Sequence, residues 1–260
     1  MRQTKRQIHN SSERGVFITA TDTGVGKTVV TAALAVALRT GGYTVGVMKP
    51  IETGVPSSAS AGSDAARLRV AAGSSDALTE IRPYAFRRPL APLDAARLEK
   101  RKVRLPTIMR AFRTLQSRHE MLLVEGVGGV YAPIMSSLDV SDIIYRMKLQ
   151  TIVVGRVSLG GINHALLTLE ALRRRNISVL ALVLNRTVAV DTTTAQLQES
   201  STLRLLQQLA GVPVIGPLPY RASLERNFQG EVARLARTAP ITELMRLVLA
   251  SGRGMISRRG

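Results

Sequence analysis

The stretch Gly15-Val16-Phe17-Ile18-Thr19-Ala20-Thr21-Asp22-Thr23-Gly24-Val25-Gly26-Lys27-Thr28 decides how the rest of the chain is read. Its first six residues are an apolar run without polar alternation, which predicts a strand buried on both faces. From Lys27 to Arg39 the chain is rich in Ala, Leu and Val, which predicts a helix closed by Gly41-Gly42. Gly-Lys-Thr at such a strand-to-helix junction is the ending of a phosphate-binding loop. Backbone N–H groups at a helix start wrap phosphate oxygens, and the helix dipole favours the negative charge. Lys27 would reach the outer phosphates and the Thr28 hydroxyl would bind Mg2+. The strict pattern has Gly five residues before Gly26, where this chain has Thr21. The alternative is a plain turn in which Gly24 and Gly26 serve only backbone geometry. The flanking strand and helix favour nucleotide binding.

The same alternation continues outward. Strands are predicted at Thr44–Met48, Met121–Val124, Thr151–Val154, Ser178–Leu184 and Pro213–Gly216, and helices at Ile162–Arg175 and Leu203–Ala210. Continuous apolar strands separated by helices imply an α/β fold of the P-loop NTPase type, a mostly parallel sheet covered by helices on both faces. One domain is expected over residues 16–250, with basic disordered tails at 1–15 and 251–260. Residues 56–63 read as a loop.

In such a sheet the ligand sits at the carboxyl ends of the strands. The second strand runs into Lys49-Pro50-Ile51-Glu52-Thr53-Gly54, so Lys49 is either a phosphate-facing cation or a solvated surface lysine. Met121–Val124 runs into Glu125-Gly126-Val127-Gly128-Gly129. A carboxylate there suits Mg2+, and the glycines let backbone approach a ligand; otherwise the segment is a turn with an incidental acid. Asp64 in Ser63-Asp64-Ala65 reads by itself as a helix cap. The amides of Leu159-Gly160-Gly161-Ile162-Asn163-His164 could hold a carboxylate, or Asn163 could be an N-cap beside a packed His164.

Composition removes several classes. The 260 residues include no Cys, which excludes disulfides, a Cys nucleophile and Cys-ligated metal. Three His, at positions 9, 119 and 164, lie too far apart in sequence to suggest a His metal cluster or a Ser-His-Asp triad. No apolar run approaches the ~18 residues of a membrane span, and the polar start lacks a signal-peptide core; a cytoplasmic protein is expected. The net charge is +18, carried by 36 Lys and Arg against 18 Asp and Glu. Residues 82–118 alone hold eleven basic and two acidic side chains, and the tails are also basic. This reads as a solvated, Arg-rich surface rather than a nucleic-acid site.

Together these segments, with Tyr84-Ala85-Phe86 through Ala91-Pro92 and Leu184-Asn185, closely resemble the dethiobiotin synthetase family over roughly residues 16–220. The Lys-Pro-x-x-[Ser/Thr]-Gly and Leu-Gly-x-Ile-Asn-His boxes are its most specific parts. The resemblance implies a homodimer that uses ATP and Mg2+ to join CO2 to 7,8-diaminopelargonate. A carbamate is phosphorylated, giving a carbamic-phosphoric anhydride, and the second amine displaces phosphate to close a cyclic urea. By position it implies Lys27 and Lys49 as catalytic groups, with Thr28, Asp64 and Glu125 on Mg2+. Gly24, Val25, Gly26, Lys27, Thr28 and Val29 would hold the phosphates, with Gly126, Val127 and Gly128 beside the nucleotide. Asn185, Arg186 and Leu218-Pro219-Tyr220 would hold adenine. Thr23 and Thr53 would contact substrate, and Gly160, Gly161, Ile162 and Asn163 would receive its carboxylate across the dimer interface.

The chain departs from that pattern at four places. Ala20 stands where the family has glycine, and a left-handed backbone there would strain it. Asp94 lies where a His often occurs nearby. Arg186 follows Asn185 at a place where the family can have an acidic residue, and Arg156 precedes the carboxylate segment. The alternative function is a partitioning-type P-loop ATPase switch that binds DNA or a partner protein. Such proteins carry an extra lysine early in the loop, where this chain has Asp22.

Overall fold

The expected central strands form one sheet in the computed structural model, which describes residues 15–56 and 61–254. In chain order the elements are β1 (Gly15–Ala20), α1 (Lys27–Thr40), β2 (Val45–Met48), β3 (Ile51–Thr53), α2 (Asp64–Ala72), α3 (Leu78–Ile81) and β4 (Tyr84–Phe86). Then come α4 (Pro92–Leu98), α5 (Leu105–Arg118), β5 (Met121–Glu125), β6 (Pro133–Met135), β7 (Leu138–Asp139) and α6 (Val140–Met147). The chain continues with β8 (Gln150–Arg156), α7 (Gly161–Arg174), β9 (Val179–Asn185), α8 (Thr193–Leu209), β10 (Val214–Leu218), α9 (Phe228–Leu235) and α10 (Ala239–Gly254).

The six-stranded sheet has the order β10-β9-β8-β1-β5-β2, and every neighbouring pair is parallel. Side chains alternate across it. Val16, Ile18 and Ala20 of β1 pack with α1, α9 and α10, whereas Phe17 packs in the core under α5, α6 and α7. Both faces are covered, so β1 and β5 have no polar face and read as unbroken apolar runs. α1 is wedged into the first core with ten buried residues, which explains its Ala, Leu and Val content. Gly41 returns its amide to Ala37 O, and Gly42 follows with φ +88°.

The topology positions the site. The chain leaves β1, skips one place to β2, and later inserts β5 between them. The carboxyl ends of β1, β5 and β2 therefore deliver the phosphate loop, Glu125 and Lys49 side by side. Ala20 is not strained: it is the last residue of β1, paired with Val154, and the positive φ angles of the loop fall on Gly24 and Gly26.

Several expectations change. Asp64 is the first residue of α2 rather than its cap; Ser63 is the cap and accepts the Ala66 amide. Gly160, not Asn163, caps α7. α10 continues through residues 251–254, part of the stretch expected as a tail. The expected tail residues 1–14 and 255–260, and 57–60 of the expected loop, lie outside the described residues. Among the described residues no helix is long and apolar enough to cross a membrane.

Leu34 of α1 is fully buried against the sheet. Leu34→Ala is expected to cost about 3 kcal/mol of stability in urea unfolding. A loss below about 1 kcal/mol would mean that α1 is not packed between the sheet and the outer helices.

Candidate active site

The loop after β1 is held from the far side of the sheet. Asn185, the last residue of β9, donates Nδ2–H to Val25 O at 3.0 Å. Gly26 has φ +100°, and a Cβ there would fall 2.2 Å from Asn185 Nδ2. Glycine is thus required twice over, by backbone conformation and by the close approach. No side-chain cap covers the first turn of α1, which leaves its amides available to an anion.

Next to the loop lies a cluster of buried charge. Glu125 is 0% exposed, Lys49 3% and Lys27 7%. The Lys49 ammonium donates to Glu125 Oε1 at 2.5 Å and to Gly126 O at 3.1 Å, and lies 3.0 Å from Asp64 Oδ2. Thr28 Oγ1 donates to the same Glu125 oxygen at 2.9 Å. Among the described residues Lys27 Nζ reaches only a backbone carbonyl, Asp22 O, at 3.1 Å. The two lysines are consequently tuned in opposite directions. Burial, reinforced by the neighbouring Lys49 charge, pulls Lys27 down to about 8. Burial also works against charge on Lys49, but the Glu125 and Asp64 carboxylates outweigh it and raise Lys49 above the ordinary lysine range. Burial would raise Asp64; Lys49 overcomes this and holds its carboxyl below the usual value.

The donor set suits a hard divalent cation. Thr28, Asp64 and Glu125 offer only oxygens, and Glu125 Oε2 is buried without a hydrogen-bond partner. Among the described residues no three His, Asp or Glu side chains gather to bind an ion by themselves. Two carboxylates and a hydroxyl can take part in such a site only where water and phosphate oxygens complete the cation's shell.

Two cavities meet here. One, of about 440 Å³, is lined by Gly24, Gly26, Lys27, Thr28, Lys49 and Asp64. The other, of about 1030 Å³, runs past Leu90 and Pro92 to Tyr131 and to Leu167 and Arg174 of α7. Thr23, Thr53, Val127 and Gly128 line both. Two residues expected to contact substrate thus stand where the phosphate cavity opens into the larger cleft.

Other expected residues lie further out. Leu218 is buried and accepts the Arg186 amide at 3.2 Å, while Tyr220 is 41% exposed. The Arg186 guanidinium is held by Glu199 of α8, with Nε to Oε2 at 2.7 Å. Gly160, Gly161, Ile162 and Asn163 line neither cavity; α7 walls the large cleft with its middle and last turns instead. Arg156 lies against that segment, with NH2 3.3 Å from His164 Nδ1. Asp94 is exposed and paired with Arg97. Neither His119 nor His164 lines either cavity.

Sequence reasoning missed part of the phosphate cavity. Arg67, three residues after Asp64, lines it with its guanidinium 4.8 Å above the Phe228 ring. The Phe228 wall carries no motif that could have announced it. Glu52, which also lines the cavity, was visible as an acid inside the Lys-Pro-Ile-Glu-Thr-Gly box but had no role attached.

The chain is similar to known proteins over most of its length. A family model described as "AAA domain" matches residues 14–227. An ATP-dependent dethiobiotin synthetase BioD of Thermodesulfovibrio yellowstonii is 42% identical over 84% of this chain and 94% of that protein. A protein of the same name from Anaeromyxobacter dehalogenans is 44% identical over 74% of this chain and 85% of its own. One from Methanococcus vannielii is 36% identical over 77% and 91%. Among solved structures, the MinD cell division protein of Aquifex aeolicus covers 95% of this chain and 98% of its own at TM-score 0.53 and 13% identity. A ParA family ATPase of Chlorobium tepidum covers 93% and 98% at TM-score 0.52 and 14% identity. At that identity these last two share the fold alone. With the phosphate loop, the two buried lysines and the Glu125 carboxylate in one site, and relatives of this similarity across nearly their whole length, the chain belongs to the ATP-dependent dethiobiotin synthetase family.

Proposed function

We infer that the chain is an ATP-dependent dethiobiotin synthetase, a cyclo-ligase that joins CO2 to 7,8-diaminopelargonate and closes the urea ring. The observation that carries this reading is the junction of the two cavities: a phosphate cavity with two buried lysines opens, at Thr23 and Thr53, into a cleft large enough for a nine-carbon diamino acid. A phosphate switch needs the first cavity; the second is what a small-molecule ligase adds.

The chemistry gathers negative charge, since a carbamate must attack the γ-phosphate. Fixed cations at that point stabilise the developing charge without reorganising. Lys49 stays charged because Glu125 and Asp64 hold it so, and it is assigned to the carbamate side. Lys27 extends from the loop to the transferred phosphate. The loop amides of Gly24 to Val29 orient the nucleotide, and Thr23 and Thr53 orient the diamine, so that proximity supplies much of the rate. Mg2+ would be held by Thr28, Asp64 and Glu125 and would supply charge neutralisation on the phosphates. Adenine is assigned to Asn185, Arg186 and the segment Leu218–Tyr220, with Gly126 to Gly128 along the nucleotide.

One P-loop domain over 16–250 would act as a homodimer, with Gly160 to Asn163 taking the substrate carboxylate from the partner's cleft. The location is cytoplasmic, and the basic surface binds no nucleic acid.

A coupled assay should release ADP only when diamine and bicarbonate accompany ATP and Mg2+; ADP release indifferent to the diamine would refute the assignment. Lys49→Ala, folded by circular dichroism, should lose at least about 100-fold in kcat while ATP affinity stays within about threefold. Normal turnover would remove Lys49 from the mechanism. ADP affinity without metal should fall as pH rises through about 8, because free Lys27 loses its proton there and binding must restore it. Calorimetry would show a slope approaching one decade per pH unit, and Lys27→Met should flatten it. A pH-independent affinity in the unsubstituted protein would contradict the tuning of Lys27.

A further inference from the structure

Glu52 and Arg82 are both 5% exposed, and neither takes part in the reaction set out above. Glu52 sits in the middle of β3, three residues after Lys49. Its Oε1 accepts the Asp64 amide at 2.5 Å, and its Oε2 accepts the Ala65 amide at 3.3 Å. The same Oε2 takes NH1 of Arg82 at 2.7 Å. Arg82 follows α3 and leads into β4, which pairs with β3. The carboxylate thus joins a strand, a helix start and a buried guanidinium.

The first amides of a helix lack intrahelical partners, and a carboxylate there is favoured by charge. Starting a helix does not require this arrangement, however. Ser63 already caps α2 through the Ala66 amide at 3.3 Å, and a serine cap is sufficient in most helices. Burying an acid and a base is costly unless both are fully engaged. What the pair adds is location. Asp64 is the residue whose amide Glu52 grips and whose carboxylate meets Lys49. Glu52 therefore ties the backbone of Asp64 to the strand that follows Lys49.

We propose that Glu52, oriented by Arg82, is a positioning residue: it holds Asp64 in register with Lys49, Thr28 and Glu125, so that the divalent-cation site depends on a buried ion pair whose carboxylate is engaged by the α2 amides and Arg82 rather than by the cation. The proposal rests on Asp64 being a cation ligand. Loss of the pair loosens the start of α2 but not the phosphate loop, which is held separately by Asn185. Cation affinity should fall while metal-free nucleotide affinity does not.

The test is Mn2+ binding to the enzyme–ADP complex, followed by electron paramagnetic resonance, beside ADP affinity without metal and kcat. Glu52→Gln should weaken Mn2+ about 10-fold or more and lower kcat by a similar factor, with metal-free ADP affinity within about twofold. Ser63→Ala, which weakens the other cap, should lower Tm but leave Mn2+ affinity within about twofold. Should Glu52→Gln fold poorly, Arg82→Gln should give the same pattern. Unchanged Mn2+ affinity in these pair variants, while Asp64→Asn loses it, would overturn the positioning role and leave the cation site standing. An equal Mn2+ loss in Ser63→Ala would also overturn it, by showing that any fraying of α2 suffices. Unchanged affinity in Asp64→Asn would bring down the cation reading and this inference with it.

Discussion

A lysine ammonium against a fully buried glutamate is the contact around which this molecule is organised. Neither Lys49 nor Glu125 could be buried alone, since an unpaired charge in a protein interior is strongly unfavourable. Together they compensate each other's charge: Lys49 has Glu125, Asp64 and Gly126 O around its three protons, while Glu125 uses only Oε1 and keeps Oε2 without a hydrogen bond. The pairing joins the ends of the neighbouring strands β2 and β5, and Thr28 brings in the loop after β1 on the other side of β5, so the strand order and the site go together. It also draws α2 to the sheet, because Asp64 opens that helix. Thr28 shares the same Glu125 oxygen, which links the phosphate loop to the cluster.

The arrangement makes two chemically identical side chains different. Lys49 has carboxylates in direct contact and stays charged; Lys27 is pulled down to about 8 by burial and then by the like charge of Lys49, which the more distant Glu125, Asp64 and Asp22 do not offset. Near neutral pH both are cationic, yet only Lys27 is short of a counter-charge. Under the proposed function a phosphate entering the loop would supply it, so that nucleotide binding would act on Lys27, while Lys49 is already compensated by its carboxylates. That division suits a reaction in which one anion is transferred and another must be held to receive it.

The central sheet was legible because parallel strands covered on both faces leave long apolar runs. β1, β2, β5, β8, β9 and β10 all lie within a residue or two of their expected ends. Short pieces were not legible. β3 and β4 have three residues each and are defined by pairing with one another, a non-local event. α8 begins at Thr193 rather than Leu203 because its first turns are polar and only Thr202 and Leu206 are buried. In the site, Lys27, Thr28, Lys49 and Glu125 follow from strand-end position, and Asp64 joined them through resemblance. The Glu52–Arg82 pair was hidden for a physical reason. Arg82 belongs to a stretch whose eleven basic residues read as solvated surface, and only the tertiary fold shows that this one turns inward. The tails of the basic segment's helix conform: on α5, Ile108, Phe112 and Leu115 face the core while Arg110, Arg113 and Arg118 are exposed.

The opposite tuning of Lys27 and Lys49 can be measured directly. With six lysines in the chain, their side-chain carbons can be resolved by NMR after selective 13C labelling and assigned by single substitutions. A pH titration of the unliganded protein should show Lys27 titrating near 8 while Lys49 remains charged beyond the ordinary lysine value of about 10.4. If both titrate together near that ordinary value, the buried cluster does not hold its charges as described, and the division of labour between the two lysines is wrong.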